Sequence, residues 1–205
     1  MRIGNSNSVV MKRRKPIKFI VARILMRTGL CRFLLLKQKN YVLRFFPTPF
    51  LRELWIDKEY QHTANIFFSD YLKFGDAVID IGANIGYYLL IERYLIGKDA
   101  KIIAIEPVAD NIKLLRKNLL LNNKEHSTSV IEGAVSNKNG YDTFYTSKHF
   151  NLGTFHFKGS SEKLLDEKSK IKVKKFKLID ICTKEGFPDL IRMDVEGHET
   201  KILEN

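Results

Sequence analysis

Between residues 77 and 133 the chain alternates short, almost wholly apolar runs with longer amphipathic stretches. Ala77-Val-Ile-Asp80-Ile, Lys101 to Ile105 and Ser129-Val-Ile131 have the length and composition of buried strands. Ile85 to Ile96 and Asp110 to Asn122 carry apolar residues at helical spacing. Short apolar strands alternating with helices of about 10–15 residues imply βαβ units and a parallel sheet. Leu190-Ile-Arg-Met-Asp194 predicts a fourth such strand, with a helix starting after it. From 134 to 180 the pattern is strand-rich. Asn139-Gly140 predicts a hairpin turn between Val135 and Tyr141–Tyr145. The lysines alternating with Ile171, Val173 and Phe176 over Lys170–Lys177 predict a solvated strand whose charges protect an exposed sheet edge. A phosphate- or nucleic-acid-binding strip is the alternative reading of those lysines.

Upstream, residues 1–15 read as a tail, with Met11 a second candidate start. Residues 17–36 read as a helix with a break at Gly29, Asn40 to Phe46 as a strand ended by Pro47 and Pro49, and residues 51–73 as helical. The expected organisation is a basic extension over residues 1–50 and an α/β domain over residues 51–205. A doubly wound sheet usually continues beyond four parallel strands, so the sequence reads as a fragment lacking its C-terminal strands.

Charge sharpens this division. The 205 residues carry a formal charge of +12, but residues 1–60 hold 14 Lys/Arg against Glu53, Asp57 and Glu59, while residues 61–205 hold 21 against 20. The body is nearly neutral, which argues against a general nucleic-acid binder. Apolar residues make up 44%, enough for a packed core. Two cysteines, Cys31 and Cys182, exclude a disulfide scaffold and a four-cysteine zinc site, and they fit a reducing, cytoplasmic setting. Ile17 to Leu36 is long enough to cross a bilayer, but Lys18, Arg23, Arg27 and Arg32 interrupt it. Each charge costs about 2.5–3.5 kcal/mol near the centre of a spanning helix, so a transmembrane segment is not expected. Two readings remain: a basic helix docked on the domain, or a peripheral membrane contact through residues 12–36, led by Lys12, Arg13, Arg14 and Lys15.

The turn Asp80-Ile-Gly82-Ala83-Asn84-Ile-Gly86 joins the first strand of the βαβ region to its helix, where open α/β sheets bind ligands. Gly82 and Gly86 allow a sharp turn and close approach of backbone to a ligand, and Asn84 tolerates left-handed geometry. Glu106 follows Gly82 by 24 residues, at the end of the next strand. An acid about 20 residues on is the group that grips ribose hydroxyls. Dinucleotide sites use G-x-G-x-x-G, whereas here Asn84 and Tyr87 hold the second and third glycine positions. An aspartate before the glycines would repel a pyrophosphate and attract a sulfonium and an amine. The residues therefore favour S-adenosylmethionine over NAD, with a ligand-free tight turn as the remaining alternative.

These residues resemble the FkbM family of S-adenosylmethionine-dependent methyltransferases. The match runs from about Phe74 to Glu204. It includes Val78-Ile-Asp-Ile-Gly-Ala-Asn-Ile-Gly-Tyr-Tyr88, similar to the family's D-x-G-A-N-x-G-[YF]-[YF], then Ile105-Glu-Pro107, Asn118-Leu-Leu-Leu-Asn122 and Ala134-Val-Ser136. Asn151-Leu-Gly153, Leu178-Ile-Asp180 and Ile191-Arg-Met-Asp-Val-Glu-Gly-His-Glu199 look like its N-x-G, L-D and I-K-x-D-x-E-G-x-E segments. Leu89 stands where the family often has Thr, and Arg192 where it often has Lys. The resemblance implies a Rossmann-like, doubly wound, mostly parallel sheet of the class I methyltransferase type, incomplete at its C-terminus. It implies Asp80, Gly82, Ala83, Asn84, Gly86, Tyr87, Glu106 and Pro107 as cofactor-binding residues. The activity it implies is methyl transfer, commonly to a hydroxyl of a sugar, polyketide or lipid-linked glycan.

Asp194 and Glu196 surround the start of the last helix together with Gly197, His198 and Glu199. One reading is structural: acids near a helix N-terminus cap it and oppose its macrodipole. The other makes Asp194 and Glu196 catalytic, orienting an acceptor hydroxyl and taking its proton. A metal held by Asp194, Glu196 and His198 is not expected, because one His at short spacing does not define a site. His149 and His156 are expected at the surface, with a base reaching over the pocket as the alternative. Two rival functions stay open. One is an RNA methyltransferase holding backbone phosphates with the basic N-terminus. The other is an inactive, truncated S-adenosylmethionine-binding remnant. The sequence has no N-P-P-Y-type motif for base methylation.

Overall fold

The computed structural model describes residues 15–58, 60, 62–147, 153–155 and 165–204. Lys12, Arg13, Arg14, His149, His156, Asn151 and Leu152 lie outside the described residues, as do the other residues of the expected tail before Lys15. The chain divides into two compact units, Met1–Thr63 and Ala64–Asn205.

In the first unit Pro16 opens helix α1 (Pro16–Thr28), which ends where Gly29 adopts φ +76°. That left-handed cap stops the expected longer helix, and a 3₁₀ turn (Leu30–Phe33) follows. Strands β1 (Leu35–Lys37) and β2 (Val42–Arg44) pair antiparallel with Leu36 opposite Leu43, and both leucines are buried. The Thr48 hydroxyl accepts from the Leu51 N–H at 3.2 Å and caps α2 (Pro49–Ile56). The helical stretch expected over 51–73 is thus two helices, α2 and α3 (His62–Tyr71). Among the described residues no helix is long and apolar enough to cross a membrane.

The second unit is built on a parallel sheet of β3 (Val78–Ile81), β4 (Ile102–Glu106), β5 (Ser129–Glu132) and β10 (Leu190–Met193), in the order β10-β3-β4-β5. Helix α4 (Tyr87–Ile96) connects β3 to β4, and α5 (Ala109–Leu121) connects β4 to β5. These are the βαβ units read from the sequence. Ile79, Ile81, Ile103 and Ile105 form one core with Val135, Ile181, Cys182 and Ile202. Strand periodicity sends Asp80 to the opposite face of the sheet.

A second sheet contains β6 (Ala134–Ser136), β7 (Gly140–Ser147), β8 (Gly153–Thr154) and β9 (Leu165–Lys177), in the order β6-β9-β7-β8. It corrects one expectation and narrows another. The segments on either side of Asn139-Gly140 do not form a hairpin, because β9 inserts between them, parallel to β6 and antiparallel to β7. The Asn139 side chain explains the crossing. It donates to Asp180 at 2.6 Å and accepts from the Lys177 N–H at 2.9 Å, anchoring this turn to the start of α6 (Leu178–Glu185). The lysine-rich strand is an edge over only part of its length: Lys170–Lys175 pair with β7, and Lys175–Lys177 pair with β6. Lys170, Lys172 and Lys174 stand over the rings of Tyr145, Tyr141 and Phe176. Buried Lys175 is neutralised by Asp142 at 2.7 Å. The alternating charges cover aromatic faces of the sheet.

Candidate active site

The carboxyl ends of β3, β4 and β10 meet at one cleft. About 640 Å³ of non-atom space, its solvent-open mouth included, lies between Gly82, Asn84, Glu106, Pro107, Val108 and Asn111 with Ala134, Val135, Phe144, Asp194, Glu196 and His198.

The turn after β3 is built for close approach. Gly82 has φ +80°, and a Cβ there would lie 2.2 Å from the Asp194 carbonyl oxygen, so no side chain fits between the ends of β3 and β10. Its N–H groups are already committed. Gly82 and Ala83 donate to the Ile105 carbonyl at 2.9 and 3.1 Å. The Asn84 N–H donates to Glu106 Oε2 at 2.9 Å. None of these three donors is left for a pyrophosphate, which separates the turn from a dinucleotide loop. Asn84 itself sits at φ +53°, the left-handed geometry anticipated for it.

Glu106 ends β4 with only 4% of its surface exposed. Its Oε1 accepts from the Val108 N–H and from Asn111 Nδ2, both at 3.0 Å. Burial raises its carboxyl above the usual glutamate value, and the donors of Asn111, Val108 and Asn84 oppose that shift. The carboxylate is therefore held in one orientation with acceptor capacity remaining on Oε2.

Of the eight residues expected to bind a cofactor, Gly82, Asn84, Glu106 and Pro107 line the cleft. Asp80, Ala83 and Tyr87 are buried, and Gly86 opens α4. Asp80 is fully buried, with Oδ1 accepting from Arg192 Nη1 at 2.7 Å. Arg192 also donates through Nη2 to Asp194 Oδ2 at 2.8 Å, and its guanidinium lies 4.3 Å from the Tyr88 ring centre. One guanidinium thus ties the centre of β3 to the loop after β10. Burial still pushes the Asp80 carboxyl up, offset only in part by Arg192.

Glu92 of α4 is also fully buried, and neither carboxylate oxygen has a hydrogen-bond partner. Burial, followed by the charge of Asp80, pushes its carboxyl well above the usual value. A carboxyl whose pKa is higher in the folded chain than in the unfolded chain destabilises the fold progressively as pH rises above the ordinary glutamate value. Thermal melts should therefore show Glu92→Gln raising the melting temperature by several degrees near about pH 8 and changing it little near about pH 4. An equal shift at both pH values would contradict this assignment.

The loop after β10 holds both expected catalytic residues at the cleft. Asp194 is tied to Arg192, while Glu196 adopts φ +52° and is followed by Gly197 at φ +91°. A left-handed glutamate is strained, and such strain clusters at functional sites. Glu199 supports the loop by accepting from the Val195 N–H at 3.2 Å. Burial, then the charges of Asp194 and Glu199, raises the Glu196 carboxyl. His198, which precedes α7 (Glu199–Leu203), is buried with Nε2 3.0 Å from Ser136 Oγ and its ring 4.7 Å from that of Phe155. Among the described residues no group of three His, Cys, Asp or Glu could share a metal ion.

Sequence reasoning missed Arg192, Glu92 and Asn111 as parts of this arrangement, and it placed His198 in the acidic cluster without its contact to Ser136. Two of them carried a readable signal. Arg192 and Asp80 are opposite charges in the middle of two four-residue apolar strands, and they face each other in register. Asn111 is a polar residue on the buried face of α5.

A family model described as a methyltransferase FkbM domain matches residues 80–205, more than half of the chain. No curated protein matches. Among solved structures, methyltransferase FkbM from Methylobacillus flagellatus KT is 16% identical with a TM-score of 0.45, over 91% of this chain and 44% of that one. A putative rRNA-methylase from Clostridium thermocellum is 18% identical with a TM-score of 0.34, over 36% of this chain and 41% of that one. Fibrillarin from Aeropyrum pernix, solved with natively bound S-adenosyl-L-methionine, is 17% identical with a TM-score of 0.30, over 36% of this chain and 32% of that one. The chain therefore spans less than half the length of each of these structures.

Proposed function

Because the chain belongs to the FkbM methyltransferase family, whose methyl donor is S-adenosylmethionine, we propose that it methylates a hydroxyl of a sugar, glycan or other small-molecule or lipid-linked acceptor. The cleft fits the donor's nucleoside half. Glu106 is a buried, pre-oriented carboxylate for the ribose diol, and Pro107, Val108, Ala134 and Val135 offer apolar surface for the purine. The turn at Gly82 leaves room for backbone approach and no donors for phosphate. Bound there, S-adenosylmethionine supplies an electrophilic methyl group on a sulfonium.

The observation that carries the hydroxyl reading is Glu196. A hydroxyl must lose its proton as its oxygen is methylated, and a carboxylate of raised pKa lining the same cleft is the group to take it. Asp194, fixed by Arg192, sets the loop that presents Glu196. Phe144 and Phe155 line the cleft with apolar surface that excludes water from the acceptor.

Glu196→Gln should lower kcat by about 100-fold with S-adenosylhomocysteine affinity unchanged. Wild-type kcat should rise with pH through a value above that of an ordinary glutamate and then level, because the base works only when ionised. The variant should lack that inflection. Wild-type kcat in Glu196→Gln would remove the residue from the mechanism.

A further inference from the structure

We propose that the outward face of helix α1 lies in the surface of an anionic lipid bilayer. The helix is apolar on two sides. Ala22 is fully buried, and Phe19, Leu25 and Met26 around it are half-buried, so this face packs within its own unit. The opposite side carries Ile17, Ile20, Val21 and Ile24, which are 75%, 58%, 39% and 56% exposed. At 3.6 residues per turn these four positions form one continuous stripe. A docked helix needs only one apolar stripe, and the second is left in water.

The charges identify what covers it. Lys18 flanks the stripe on one side and Arg23 and Arg27 on the other, all exposed. From Met1 to Arg52 the chain has no Asp or Glu. Beside the stripe a surface groove is lined by Ile20 and Ile24 together with Arg23, Arg27 and Arg52. Apolar side chains at the depth of the acyl boundary, with long cationic side chains reaching sideways to phosphates, are the pattern of a helix lying in a membrane interface. A second copy of this chain is a poor occupant, because pairing two such faces would bring arginines against arginines.

Co-sedimentation of the full chain with vesicles tests this. The chain should partition onto phosphatidylcholine vesicles containing about a third phosphatidylglycerol. Binding to pure phosphatidylcholine, or at high salt, should be at least about tenfold weaker. Ile20→Ser with Ile24→Ser should weaken partitioning by more than about tenfold. Arg23→Gln with Arg27→Gln should weaken it by about 25-fold, about fivefold per charge. Phe187→Ser, an exposed apolar residue of the other unit, should leave it unchanged, and circular dichroism melts confirm that each variant folds. No partitioning onto anionic vesicles would overturn the proposal. So would partitioning that ignores the isoleucine pair, since the basic residues alone would then account for it. Self-association without vesicles that the isoleucine substitutions abolish would assign the face to a second copy instead.

Discussion

Replacing Glu106 with alanine should weaken S-adenosylhomocysteine binding by at least about 100-fold in a calorimetric titration. A bidentate acceptor for a ribose diol is worth two charge-assisted hydrogen bonds, each about 1.5–3 kcal/mol, in a partly water-excluded cleft. The substitution also frees the three donors that hold Glu106 now, the Asn84 and Val108 N–H groups and Asn111 Nδ2. The Asn84 N–H belongs to the glycine turn, so the loss reaches that turn as well. Several degrees should be lost from the melting temperature, and titration is therefore done below the transition. Wild-type affinity in a folded Glu106→Ala chain would show that the acid at the end of β4 is structural only.

The largest effect on stability should come from Arg192→Met. The methionine keeps much of the apolar volume against Tyr88 and removes the only charge facing Asp80 among the described residues' ion pairs. Breaking a buried pair from one side costs about 3–5 kcal/mol, because the remaining charge is left without compensation. For a chain of this size each kcal/mol lowers the melting temperature by about 2–4 °C. The sign with pH is definite. Burial already raises the Asp80 carboxyl, and loss of the guanidinium raises it further, so the defect should shrink as pH falls and Asp80 becomes neutral. Arg192→Lys should rescue only in part, since one ammonium cannot reproduce the fork that reaches Asp80 and Asp194 together. Adding Asp80→Asn to Arg192→Met should recover much of the loss. A melting temperature unchanged by Arg192→Met would remove this pair from the account of the fold.

The parallel sheet was legible because both faces of its strands are covered, which leaves Val78–Ile81 and Ile102–Ile105 as short apolar runs between helical patterns. The cleft end of those strands was legible for a related reason: left-handed backbone at Gly82 and Asn84 restricts the residue types allowed there. The second sheet was not. Its lysine-rich strand reads as solvated because its lysines lie over aromatic rings, and for Lys170 and Lys172 those rings, Tyr145 and Tyr141, come from a strand distant in sequence. The hairpin expected at Asn139-Gly140 fails for the same reason, since β9 arrives from about 30 residues downstream to separate β6 from β7. Asp80 illustrates a subtler limit. Its position before the glycines was plain, yet period-two geometry turns its side chain away from the Ile79–Ile81 core toward Arg192. Its influence on the cleft runs through Arg192 and Asp194.

The most direct test of the central claim is the fate of the methyl group. The chain is incubated with S-adenosylmethionine carrying a trideuterated methyl and with separate glycolipid, polysaccharide, RNA and protein fractions, and mass spectrometry locates the label. The account predicts a trideuteromethyl ether on a sugar or other acceptor hydroxyl, formed by the wild type and lost in Glu196→Gln. Label on an RNA base or a protein side chain, or no transfer by a chain that binds S-adenosylhomocysteine, would contradict it.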